Sequence, residues 1–219
     1  MPRLLFEKKG NSVWISHLDL MRVFQRAFKR AGLPLKHTQG YNPRPSVSIA
    51  LPLSVGVASN CELLDFELDN CDITLGEIKS RLNKCLISGV TVLDVYENAR
   101  KIRDLALLNC VVTLEYDNGI PEGAEDAIAK LFASDELIVP KKTKNGMQDQ
   151  DIIPMIHAIA VRKVGERALE LNATICCQNP TLNPNQLTQA IALYLPAYNA
   201  DFSHCCRMEI MDAAEEIFR

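Results

Sequence analysis

The sequence predicts an α+β protein made of two tandem ferredoxin-like (βαββαβ) halves. Three observations carry that prediction: apolar periodicity switches between 2 and 3.6 along the chain, the order β-α-β-β-α-β can be read twice, and 219 residues suffice for two units. A hydrophobic share of 47%, a charged share of 23% and a net charge of −3 are ordinary globular values, which exclude disorder, collagen and coiled coil.

The elements follow in order. Residues 3–7 and 12–15 read as short extended segments around a Lys9-Gly10-Asn11 turn. Ser16 opens a helix with Asp19 three residues on, a capping-box variant that satisfies amides at a helix start. Leu20, Met21, Phe24, Ala27, Phe28 and Ala31 supply its apolar stripe, Gly32 stops it and Pro34 prevents resumption. Strands at 47–53 and 62–68, a helix at about 74–87 and a strand at 90–96 complete the first half. The second half repeats the plan: strand 109–116, helix 121–133, strands 136–140 and 167–176, helix 183–194 and strand 204–211. A polar insert at 141–151 separates its middle strands, followed by an apolar 152–157 that suits either a helical turn or a strand. The expected domains are a basic half over 1–97 and an acidic half over 107–219. Trp14, Phe6 and His157 are expected in the core.

No apolar run approaches the roughly 20 residues needed to cross a bilayer, and Glu7-Lys8-Lys9 interrupts the N-terminus too early for a signal-peptide core. The expectation is a cytoplasmic protein with no membrane partner. The eight cysteines (61, 71, 85, 110, 176, 177, 205, 206) lack the short spacings that let several thiolates reach one metal or cluster, so neither a metal nor a cofactor is expected. Most read as small buried hydrophobes. Only Cys176-Cys177 and Cys205-Cys206, on neighbouring strands, would form a thiol cluster with His204.

Charge is uneven along the chain. Residues 1–45 hold nine basic and two acidic groups, a net +7, against −10 for the remainder, and the sign at the front favours a polyanion. Arg22, Arg26, Lys29 and Arg30 recur at i, i+4, i+7 and i+8 on the first helix. Their mutual repulsion would be relieved by phosphates, although a solvated helix face has the same pattern. The loop 36–45 adds Lys36, Gln39, Tyr41, Asn42 and Arg44 between stiffening prolines, with Tyr41 suited to stacking on an unpaired base. The aromatic RNP1 signature of RRM domains is absent. These nine residues are the candidate RNA-binding set. The run Lys141-Lys142-Thr143-Lys144 reads as a solvated loop or an extension of the same path.

Four stretches carry a resemblance: Phe6-Glu7-Lys8, Trp14 through Arg22, Ala31-Gly32-Leu33-Pro34, and Gln39 through Pro45, continued by 47–57. In these the sequence resembles the radical SAM-linked protein family (DUF2344), densely over 3–70 and thinly beyond. The resemblance implies a free-standing relative of proteins fused to radical SAM enzymes, with a link to RNA or ribosome metabolism, and the leading expectation is action on ribosomal or transfer RNA. The N-terminal motif order is also similar to that of CRISPR repeat-processing endonucleases, which are tandem ferredoxin-like RNA binders.

Three functional readings follow: an RNA-binding accessory protein, a subunit that docks onto a separate radical SAM enzyme, and a metal-independent ribonuclease. The last would use His17 or His37, since imidazole can serve as the base or the acid near neutral pH. His17 is equally explained as a helix-start residue near Asp19. No P-loop, HExxH or Ser/His/Asp order supports another chemistry.

Overall fold

The protein is α+β, with mostly antiparallel strands and, among the described residues, four α-helices. The structure is a computed structural model that describes residues 1–69, 72–97, 99–143 and 146–219. Cys71 and Lys144, both singled out in the sequence, lie outside the described residues. No helix among the described residues is long and apolar enough to cross a membrane. The chain divides into two compact units, Met1–Ile102 with Arg219, and Arg103–Phe218.

The first unit runs β1 (Arg3–Lys8), a 3-10 turn (Gly10–Trp14), α1 (His17–Arg30), β2 (Val47–Ile49), β3 (Val57–Phe66), α2 (Leu75–Cys85) and β4 (Val90–Tyr96). β1 pairs antiparallel with β3 and β4, and β2 pairs antiparallel with β3, giving the order β4-β1-β3-β2. Alternation on β1 sends Leu4 and Phe6 into a core shared with Leu20, Phe24, Ala27 and Phe28 of α1 and Ile78 and Leu82 of α2. Phe6 meets Phe24 edge to face, with ring centroids 4.7 Å apart. The Arg3 guanidinium donates to both carboxylate oxygens of its cross-strand partner Asp65, at 2.6 and 3.1 Å. Thr74 and Glu77 close a full capping box on α2.

The second unit runs β5 (Leu105–Glu115), α3 (Ala124–Phe132), β6 (Ile138–Thr143), β7 (Gly146–Asp151), β8 (Ile156–Val164), β9 (Ala168–Cys176), α4 (Asn185–Tyr194) and β10 (Phe202–Asp212). Its antiparallel order is β10-β5-β9-β8. Among the described residues β6 and β7 pair only with each other, as a separate ribbon.

Several expectations are corrected. Residues 12–15 are not a strand: Gly10 takes φ +55 and the chain coils into a 3-10 turn whose carbonyls are held by Lys8. Trp14 is therefore 70% exposed rather than core, whereas Phe6 is fully buried. His157 is exposed too, with Nδ1 3.9 Å from Glu215 Oε1. The segment 136–140 does not join the main sheet of its unit, because Pro140 lacks the N–H a central ladder requires and β8 fills that place. The 152–157 segment is both alternatives in turn, a 3-10 turn at Ile153–Met155 and then β8. β3 starts at Val57, five residues early, because buried Ser59 continues its alternation with its hydroxyl bonded to the Cys61 amide. β5 lies between β9 and β10, so the two cysteine pairs are not on neighbouring strands. Among the described residues no three His, Cys, Asp or Glu gather to hold a metal.

Candidate nucleic-acid interface

α1 is the element that organises the basic residues. Ser16 caps it, accepting from the Asp19 amide at 3.2 Å, while the Ser16 hydroxyl lies 2.8 Å from Asp19 Oδ2. Burial of Leu20, Phe24, Ala27 and Phe28 fixes the rotation of the helix. At about 100° per residue, Leu18, Arg22, Gln25, Arg26 and Lys29 then share the opposite face, within an arc of about 100°. All but half-buried Gln25 are exposed.

Protein partners already hold several of these cations. Arg22 Nη1 sits 2.7 Å from Asp19 Oδ1. The Ser16 hydroxyl first, then Arg22, hold the Asp19 carboxyl below its ordinary 3.8. Arg30 donates to the carbonyl of Cys85, the last residue of α2, and so satisfies an orphan acceptor at a helix C-terminus. Lys36 Nζ lies 3.5 Å from Glu67 Oε2. Among the described residues, the side chains of Arg26, Lys29 and Arg44 make no hydrogen bond or ion pair.

The 36–46 segment is a small hairpin. Ser46 N donates to Lys36 O at 2.7 Å, Thr38 N to Arg44 O at 2.8 Å, and Arg44 N to Thr38 Oγ1 at 3.0 Å. Its tip, Gln39 to Pro43, is fully presented to solvent, with Tyr41 at 108% relative exposure. At the base of the hairpin an open groove of about 430 Å³ is lined by Gln25, Arg26 and Lys29 from α1, then Leu33, Pro34 and Leu35, then His37 and Pro45. The floor is apolar and the rim cationic.

The two candidate histidines sit in different settings. His17 opens α1 with its Nδ1 buried and unbonded, whereas His37 lines the groove.

Sequence reasoning missed the groove and the apolar end of the helix face. Leu18 falls four residues before Arg22, so the wheel that places the cations also places Leu18 beside them. Exposed Trp14 left no such trace.

The family profile described as "Uncharacterized protein conserved in bacteria (DUF2344)" matches residues 2–184. A search of curated proteins finds no match. Among solved structures the chain is similar to one in the crystal structure of a Cbf5-Nop10-Gar1 complex, with 10% identity, a TM-score of 0.53, and coverage of 95% of this chain and 48% of that one. The archaeal box H/ACA sRNP Nop10-Cbf5 complex gives 10% identity, a TM-score of 0.49 and coverage of 94% and 46%. An unknown protein from Galdieria sulphuraria gives 11%, 0.26, 94% and 96%. The chain spans about half the length of the first two. At such identity the likeness to the first is one of fold.

Proposed function

The chain belongs to the DUF2344 family, and from that premise we propose that it binds RNA through the exposed face of α1 and the 36–46 hairpin. The observation that carries the reading is the set of cations with no partner among the described residues: Arg26 and Lys29, which line an apolar groove, and Arg44 on the hairpin above it. Arginine and lysine left without carboxylates are where phosphates release counterions and gain affinity. The groove and the exposed Tyr41 favour unpaired nucleotides over a duplex, whose bases are stacked away from protein. Gln39 and Asn42 at the tip offer amides to base edges. That the RNA is ribosomal or transfer RNA extends the link to RNA or ribosome metabolism that the family resemblance implies.

The reading of the fold as tandem ferredoxin-like halves, basic over 1–97 and acidic over 107–219, is supported by the same strand order recurring in each unit. It is the architecture expected of the CRISPR-endonuclease likeness. Cleavage is not part of the proposal: His37 lines the groove and His17 does not.

A filter-binding titration with unstructured and duplex RNA tests the function. We expect saturable binding that prefers the unstructured strand and is lost in an Arg26→Glu/Lys29→Glu/Arg44→Glu variant. Absence of binding at low salt, or an unaffected variant, overturns it. The alternative, docking onto a separate radical SAM enzyme, is favoured by the apolar groove floor; a pull-down that recovers such an enzyme after nuclease treatment would support it instead.

A further inference from the structure

We propose that Trp14 is a stacking platform for an unpaired base of the bound RNA, an inference that rests on the RNA-binding reading and extends it to a residue outside the cationic set. Trp14 is 70% exposed, yet the turn that carries it is tied down by side-chain and backbone hydrogen bonds. Lys8 is fully buried, and its ammonium donates to the carbonyls on either side of Trp14, Val13 O at 3.1 Å and Ile15 O at 2.9 Å. The Ser12 hydroxyl lies 2.7 Å from Lys9 O and 2.9 Å from Gly89 O, and the Gly56 amide donates to Val13 O at 2.8 Å. The benzo edge of the indole rests over Gly56.

A buried ammonium is costly to desolvate, and here its hydrogen bonds go to the peptide groups that orient an exposed aromatic. Fixing a large apolar ring in water gains nothing for folding. It lowers the ordering cost of binding a flat partner.

The surroundings identify that partner. Leu18, 69% exposed, lies four residues after Trp14 in the first turn of α1, and Arg22, Arg26 and Lys29 follow Leu18 on the same helix face. Leu18 to Lys29 spans about 16 Å of helix axis. A single strand running along this face with phosphates over Arg26 and Lys29 would carry a base a few nucleotides on towards Trp14. Stacking on an aromatic tolerates any base and changes affinity by roughly 5- to 150-fold. An apolar peptide would fill the Trp14–Leu18 end and leave the adjoining cations unanswered.

Trp14 is the single tryptophan of the chain, so its emission reports the site directly. The full chain is titrated with a fluorescein-labelled 12-nucleotide oligouridylate, with an abasic backbone of equal length, and with inorganic polyphosphate. Binding is read by anisotropy or competition, and Trp emission in parallel with unlabelled ligand. We expect the oligouridylate to quench Trp14 along the same isotherm as its binding, while the abasic chain and polyphosphate bind without quenching. Trp14→Ala should weaken the oligouridylate about tenfold, leave polyphosphate unchanged, and be partly rescued by Trp14→Phe. Oligouridylate binding with unchanged emission and an unaffected Trp14→Ala variant overturns the platform while leaving the RNA reading intact, and assigns the patch to a protein surface. An equal loss for all three ligands in Trp14→Ala also overturns it. No binding by any ligand overturns both readings.

Discussion

Removing Arg26 and Lys29 together should flatten the salt dependence of RNA binding by a calculable amount. Of the six cations on α1 and the hairpin, Arg22, Arg30 and Lys36 are held by Asp19, Cys85 O and Glu67, which leaves three to meet phosphates. At about 0.7 counterions per phosphate of a single strand, log K should fall against log salt with a slope near −2.1. Between 50 and 200 mM salt, that is a loss of about 20-fold. In Arg26→Ala/Lys29→Ala one cation remains, the slope becomes about −0.7, and the loss shrinks to about 2.6-fold. The assay is fluorescence anisotropy of a labelled unstructured oligoribonucleotide over a series of salt concentrations. Arg22→Ala is the control, because its cation is already paired, and it should move the slope little. A double variant whose slope matches the wild type would refute the assignment, as would an Arg22→Ala slope that changes as much as the double variant's.

Four further outcomes follow. Asp19→Asn should release Arg22 and steepen the slope by about 0.7, read by the same anisotropy series; an unchanged slope would show that Arg22 cannot reach the RNA. The pH dependence has a definite sign: the Asp19 carboxyl titrates below its ordinary 3.8, so its contribution to stability is present above that value and lost as pH falls through the lowered one. RNA binding should accordingly show no change from Asp19 between pH 5 and 8. Gly89→Ala should destabilise by about 2–3 kcal/mol, because φ is +85 and the new methyl would press on Lys9 O and the Ser12 side chain. Urea denaturation measures it, and a shift under about 0.5 kcal/mol would contradict the anchoring of the Trp14 turn. Burial pushes the Cys177 thiol up to about 12. At pH 8 only about one molecule in ten thousand then carries the thiolate, so iodoacetamide should leave Cys177 unlabelled in the native protein while half-buried Cys85 and Cys206 react. Labelling of Cys177 at a matching rate would show that its strand end opens readily.

How much of this was legible depended on whether burial followed a simple period. α1 was readable from Ser16 to Gly32, because its cap, apolar stripe and stop signal agree, and β4 was readable at both ends. β8 was hidden because its Ala158, Ala160, Arg162 and Lys163 are exposed, so no clean alternation marks it. The candidate site was legible as a list of cations and only half legible as a site. Helical spacing placed Arg22, Arg26 and Lys29 on one face, but nothing local showed that Glu67 and Cys85 O, 31 and 55 residues away from Lys36 and Arg30, would hold two of the others. Trp14 was misread because a lone tryptophan between apolar neighbours ordinarily packs inward. The buried Lys8 that turns it outward acts through backbone carbonyls, which carry no sequence signal.

The central claim is that the α1 face and the 36–46 hairpin form the surface that touches RNA. Photo-cross-linking of the full chain to an unstructured RNA containing 4-thiouridine, followed by mass spectrometry of the peptide adducts, tests it most directly. The account predicts adducts within residues 14–46, foremost at Trp14 and Tyr41, that disappear with competitor RNA and at high salt. Adducts confined to 103–218 would contradict it, as would a bound RNA that leaves 14–46 unmarked.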